Sequence, residues 1–112
     1  MTECIFCKII VGDIPSNKVY EDDLVYAFKD ISPKAAVHLL LIPKIHIDSL
    51  DNLAEKDQTL LGHMMLKLPA LAKSQGLNNG FRTIINTGPD GGQEVGHLHM
   101  HILGGTGLTK FN

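Results

Sequence analysis

The chain has 112 residues and reads as one domain, 1–112, with room for a single modest core. Hydrophobic residues make up 44%, charged residues 20%, and the net charge is −2, so composition offers no basic surplus for nucleic acid or an anionic membrane. No apolar run is long enough to span a bilayer, no signal peptide is visible at Met1-Thr2-Glu3-Cys4, and two cysteines do not make a secreted disulfide framework, so a cytoplasmic protein is expected.

Ile5, Phe6, Ile9 and Ile10 have helical spacing, which predicts a short helix ending at Gly12. Residues 18–20 and 24–29 read as two strands of a hairpin around the acidic turn Glu21-Asp22-Asp23. Asp30-Ile31-Ser32-Pro33 breaks the second of them. Residues 36–42 are apolar on both faces except at His38, which predicts a central strand covered on both sides and ended by Pro43. Asn52-Leu53-Ala54-Glu55 has the pattern of a capping box. From there Leu60, Leu61, Met64, Met65, Leu68, Leu71 and Ala72 keep the 3.6-residue period, so one long helix should run to Gly76 with a kink at Pro69. His63 lies in that helix and reads as a boundary residue. Residues 81–86 form the next strand candidate, 87–93 a glycine-rich loop, and 97–103 the last strand, closed by Gly104-Gly105. Five strands, one long helix and one short helix predict an α+β fold on an antiparallel sheet.

The last strand carries the chemistry. In His97-Leu98-His99-Met100-His101-Ile102-Leu103, histidine alternates with an apolar residue, so the three imidazoles share one face. Neighbours on that face are about 6–7 Å apart at Cα, and His97 and His101 about 13 Å. The three cannot easily converge on one point, which favours a division of labour. Neutral imidazole is a competent nucleophile near neutral pH, because its ordinary pKa is about 6.5. A middle histidine can attack phosphorus while a neighbour donates hydrogen bonds to the phosphate oxygens. The loop upstream can offer backbone N–H groups to an anion. A metal reading also stands, since histidines at i and i+2 on a strand are a familiar ligand pair. Cys4-x-x-Cys7 admits three readings: a redox pair, two small buried residues, or half of a tetrahedral zinc site with His46 and His97 as candidate partners.

The triad segment with Gly104-Gly105 resembles the motif of the histidine triad (HIT) family, in its small nucleotide-binding branch, Hint. Residues 28–33, 36–44, Asn86 and 91–95 match as well, so the likeness runs from about Cys4 to Gly105. The resemblance implies a five-stranded antiparallel sheet and a homodimer whose sheet has ten strands. It implies hydrolysis of adenosine or guanosine 5′-phosphoramidates to the nucleoside monophosphate and an amine, with no organic cofactor, no membrane and no nucleic acid involved. His99 is then the nucleophile that becomes nucleotidylated, His101 contacts the phosphate and assists the leaving group, and His38 supports both. Asn86, Gly92, Gln93 and Val95 match phosphate-contacting positions. Ile5, Phe6 and Ile9 match the purine wall, and Asp30, flanked by Lys29 and Ile31, the ribose-binding acid. Glu94 stands where some members carry serine near the leaving group. A carboxylate there repels phosphate and attracts a cationic amine. Members with an N-terminal Cys-x-x-Cys bind a structural zinc, a pattern that Cys4, Cys7, His46 and His97 fit. The resemblance leaves amine preference open, because tails such as 106–112 vary between members.

Overall fold

A computed structural model describes residues 3–108, so the end of the tail, 109–112, lies outside the described residues. The elements in order are α1 (Ile5–Ile10), β1 (Lys18–Glu21), β2 (Val25–Lys29), β3 (Val37–Pro43), α2 (Gln58–Ser74), β4 (Arg82–Ile84) and β5 (Met100–Gly104). The strands form one antiparallel sheet in the order β1-β2-β3-β5-β4. This is the α+β architecture that the sequence predicts.

β3 is covered on both faces, as its unbroken apolar run requires. Leu39 and Leu41 pack with Met64, Leu68, Leu71 and Ala72 of α2 on one side. Leu40 and Ile42 pack with Phe6 and Ile9 of α1, and with Tyr26 and Phe28 of β2, on the other. Each fully buried aliphatic side chain contributes about 1.5–3 kcal/mol. β5 lies beside β3 with His101 opposite Leu40 and His38 opposite Leu103. Residues paired across a ladder point to the same face. The register therefore sets His38 and His101 together on the α1 side, while Met100 and Ile102 enter the α2 core.

Three boundaries differ from expectation. The long helix starts at Gln58, not at Asn52. The Asn52 carboxamide oxygen accepts from the Ser49 hydroxyl at 3.1 Å, and Ser49 itself caps a 3₁₀ turn, Leu50–Asn52. A second turn, Glu55–Asp57, follows, whose buried Asp57 carboxylate reaches back to the Ala54 N–H at 2.9 Å. The helix then runs without a break through Pro69, whose position is exposed. The last strand begins at Met100, not at His97. In the register that pairs Leu41 with Met100, the ladder would next need Ile42 and Pro43 opposite residues 99 and 98, and proline has no N–H to give it. Leu98 instead donates to the Ile47 carbonyl at 2.7 Å. β4 is shorter than expected, spanning only Arg82–Ile84 of the 81–86 segment.

The hairpin is tied to α2 through Asp22. Its carboxylate accepts from the Tyr20 hydroxyl at 2.7 Å, from His63 Nε2 at 2.7 Å, and from the N–H groups of Leu24 and Val25 at 2.8 and 2.9 Å. Burial would push this carboxyl up, but the four hydrogen bonds outweigh it and hold it well below the usual carboxylate range. A depressed folded value means that its stabilisation is complete above the unfolded pKa of about 3.9 and fades as pH falls below that. Asp22→Ala is expected to cost about 2–3 kcal/mol in urea unfolding at pH 7. A change within about 0.5 kcal/mol would show that the tether is idle.

Candidate active site and metal centre

Three rings line up on the α1 side of the sheet. His99 and His101 lie 5.1 Å apart between ring centroids, and His101 and His38 again 5.1 Å. The edge-on Phe6 ring, 5.2 Å from His99, closes the other end. Alternation thus carries one residue past the regular ladder. His99 Nδ1 donates to the His97 carbonyl at 2.7 Å. With its proton committed there, the Nε2 of a neutral His99 holds the lone pair. His38 Nε2 and His101 Nδ1 are 2.8 Å apart, and the Asp30 carboxylate comes within 3.5 Å of the same His38 nitrogen.

Electrostatics keep His38 and His101 uncharged. Burial pushes His101 down to about 4, with His99 and His38 beside it acting in the same direction and Asp30 opposing. Burial also lowers His38, again against the pull of Asp30. Both therefore stay neutral at pH 7, able to donate from one nitrogen and accept at the other.

His97 also packs edge-on against Phe6, at 5.9 Å, and turns toward the cysteines at α1. Its Nδ1 is 3.3 Å from Cys4 Sγ and 3.6 Å from Cys7 Sγ, and His46 Nδ1 is 3.3 Å from Cys7 Sγ. Tetrahedral zinc bonds of about 2.3 Å to sulfur and 2.05 Å to nitrogen place S and N about 3.6 Å apart, so the spacing fits such an ion. The far nitrogens are wired to match. His97 Nε2 donates to the Pro43 carbonyl at 2.9 Å and His46 Nε2 to Asp48 at 2.6 Å, which leaves both Nδ1 atoms as lone-pair donors facing the sulfurs. Burial pushes the Cys7 thiol up, and the Cys4 sulfur adds to that, while burial lowers His97. Two neighbouring thiolates are unfavourable without a cation and favourable around one. Of the three readings of Cys4-x-x-Cys7, this geometry matches the metal site.

A cleft of about 520 Å³ opens onto the imidazoles. Phe6, Asp30, His38, Asn86, Gly92, Glu94, Val95, His99 and His101 line it. Ile9 is packed in the core beneath, and Lys29 and Ile31 do not reach the cleft. Ile5 and Gln93 line a neighbouring hollow of about 490 Å³, and Glu94 and Val95 border both. The Gln93 amide accepts from the Gly88 N–H and donates to the Asp48 and Val95 carbonyls, so this side chain pins the glycine-rich loop in place. The loop spends the N–H groups of Gly88, Gly91, Gly92 and Gln93 on bonds within itself. Glycine is required at Gly91, where a Cβ would lie 2.3 Å from the Thr87 carbonyl oxygen. Sequence reasoning missed Lys34, Arg82 and Leu108, which also line the cleft. Arg82 gets there by pairing with Leu103 across β4 and β5, a contact with no local signal.

Residues 3–111 match the family model described as "Scavenger mRNA decapping enzyme C-term binding". The chain is 60% identical over 104 residues to Protein HitA of Neisseria gonorrhoeae, covering 93% of this chain and 97% of that one. It is 48% identical over 107 residues to the purine nucleoside phosphoramidase of Escherichia coli, covering 95% and 90%. Among solved structures, a histidine triad protein from Clostridium difficile superposes with a TM-score of 0.94 at 49% identity, over 100% of this chain and 98% of that one. A HIT family hydrolase from Legionella pneumophila gives a TM-score of 0.92 at 44% identity, over 96% of each chain.

Proposed function

Since the chain belongs to the histidine triad family of hydrolases, we propose that it is a purine nucleoside phosphoramidase working through a covalent nucleotidyl-His99 intermediate. The observation that supports this most is the pairing of the His99 Nδ1–H with the His97 carbonyl, which aims an Nε2 lone pair at the cleft. That nitrogen attacks phosphorus. The P–Nε2 bond forms as the bond from phosphorus to the leaving amine breaks. Water then cleaves the P–Nε2 bond, releasing the nucleoside monophosphate. The positive charge of a nucleotidylated imidazole is eased by the carbonyl already bonded to Nδ1. His101 donates from Nε2 to the phosphoryl group and assists proton transfer at the amine, with His38 behind it. Asn86, Gly92 and Val95 flank the phosphate, and Gln93 contributes by holding their loop. Phe6, with Ile5 and Ile9 in the same helix, forms the purine wall, and Asp30, between Lys29 and Ile31, takes the ribose hydroxyls.

Cys4, Cys7, His46 and His97 hold zinc in this proposal. Four protein ligands leave no position for water, so the ion is structural. The chain is cytoplasmic in this reading and pairs into a homodimer through the β4 edge, continuing the sheet to ten strands. The open edge of β4 and the exposed Met65 and Leu66 on α2 support that pairing.

Steady-state turnover separates this activity from dinucleoside polyphosphate hydrolysis on the same fold. An adenosine 5′-phosphoramidate should exceed a diadenosine polyphosphate in kcat/KM by about 100-fold or more. The reverse ranking would assign the chain to the polyphosphate hydrolases.

A further inference from the structure

Asp30, His38 and His101 bring three potential ligand atoms within 4.8 Å of one another, a triangle that has the outline of a metal site. Its hydrogen bonds argue for something else. His38 Nδ1 accepts the backbone N–H of Lys34 at 3.0 Å. A neutral His38 must then carry its proton on Nε2, the nitrogen that faces His101 Nδ1 at 2.8 Å. His101 Nδ1 is thereby an acceptor, and the His101 proton is confined to Nε2, the nitrogen left for the cleft. Neither ring has a lone pair to spare for an ion between them. This is the opposite of the Cys4/Cys7 cluster, where both histidines turn a lone pair inward.

The donor that starts this chain is held by its own turn. Asp30 Oδ1 accepts the Ser32 N–H at 2.7 Å, and the Asp30 N–H donates to the His38 carbonyl at 2.9 Å. Downstream, the Ala36 N–H donates to the Thr106 carbonyl at 2.9 Å, fastening the far side of the segment. The other charged or titratable groups around the pair are His99 and the Lys34 side chain, with Arg82 and Glu94 lining the same cleft.

We propose that the turn from Asp30 to Lys34 is a tautomer lock: the Lys34 backbone N–H, carried by a turn whose Ser32 N–H the Asp30 carboxylate holds, acts through His38 to hold His101 as an Nε2–H donor. Asp30 and the Lys34 amide are positioning groups in this account, a task separate from any contact of Asp30 with ribose. The lock rests on the phosphoramidase reading only for what His101 does with its proton, because the tautomers are set before substrate arrives. A second proton on the pair would have to displace the Lys34 N–H or break the bond between the rings. The same bonds therefore keep His101 a neutral donor.

Long-range ¹H–¹⁵N NMR of the full chain labelled with ¹⁵N-histidine reads each tautomer directly. At pH 7 both His38 and His101 are expected as pure Nε2–H forms. Lys34→Pro removes the amide proton and should give mixed tautomers at both rings, with kcat for an adenosine phosphoramidate down about tenfold and KM little changed. Lys34→Ala keeps the amide and should keep both tautomers. Should Lys34→Pro fail to fold, Asp30→Ala both unpins the turn and removes the carboxylate beside His38 Nε2, two changes that each weaken the preference for Nε2–H, and should give the same mixture. An Nδ1–H form at either histidine in the unmodified protein would overturn the proposal. So would pure Nε2–H forms in Lys34→Pro or, in its place, in Asp30→Ala. If the tautomers behave as stated but no phosphoramidate is turned over, the lock stands and the proposed activity fails.

Discussion

His99→Ala is expected to lower phosphoramidate turnover by about 10⁴-fold or more while changing the affinity for a purine nucleoside monophosphate by less than about tenfold. The asymmetry follows from the position of the ring. In the proposed mechanism His99 meets the phosphate, whereas Phe6 and Asp30 line the cleft independently of it. The ring is braced by Phe6 on one side and His101 on the other, so its Nε2 is presented without rotational search. The neighbours cannot replace it. His101 Nδ1 is occupied by His38, and His97 is buried among the cysteines. Calorimetric titration of the variant with nucleotide, beside a turnover assay, checks both halves. Substantial remaining turnover would remove His99 from the role of nucleophile. Lost binding with lost turnover would make it a structural residue.

The second large effect concerns the Cys4, Cys7, His46 and His97 cluster. One zinc per chain is expected in protein purified without added metal, and none in Cys4→Ser treated with a chelator. That variant should melt more than about 10 °C below the parent, equivalent to about 3 kcal/mol or more. The cluster joins α1, the segment after β3 and the approach to β5, which the sheet ladder does not otherwise bind together. It also steadies the His97 carbonyl that holds His99 Nδ1, so turnover should fall with the metal. Substoichiometric zinc together with an unchanged melting temperature after chelation would contradict this.

Much of this arrangement could be read locally. The two-residue period from 97 to 103 lined up the histidines, and the doubly apolar run 36–42 identified the central strand that carries His38. What escaped reading depends on contacts between distant segments. The start of β5 at Met100 and not at His97 reflects Pro43, which stands in the neighbouring strand and not in the histidine segment. The capping pattern at Asn52 was overridden because Ser49 takes its side chain. Gln93 matches a phosphate-contacting position in the family pattern, yet its amide bonds to residues 48, 88 and 95, which only the fold brings together. Lys34 reaches the imidazoles through its backbone, and a main-chain N–H leaves no mark in residue type.

In the proposed mechanism a single imidazole, His99, becomes covalently attached to the nucleotide. Mass spectrometry of enzyme quenched within milliseconds of mixing with an adenosine phosphoramidate tests it directly. A nucleotidyl adduct that localises to His99 and disappears as substrate is exhausted is the expected result. An adduct on His97 or His101, or full turnover with no adduct at any time point, would contradict it.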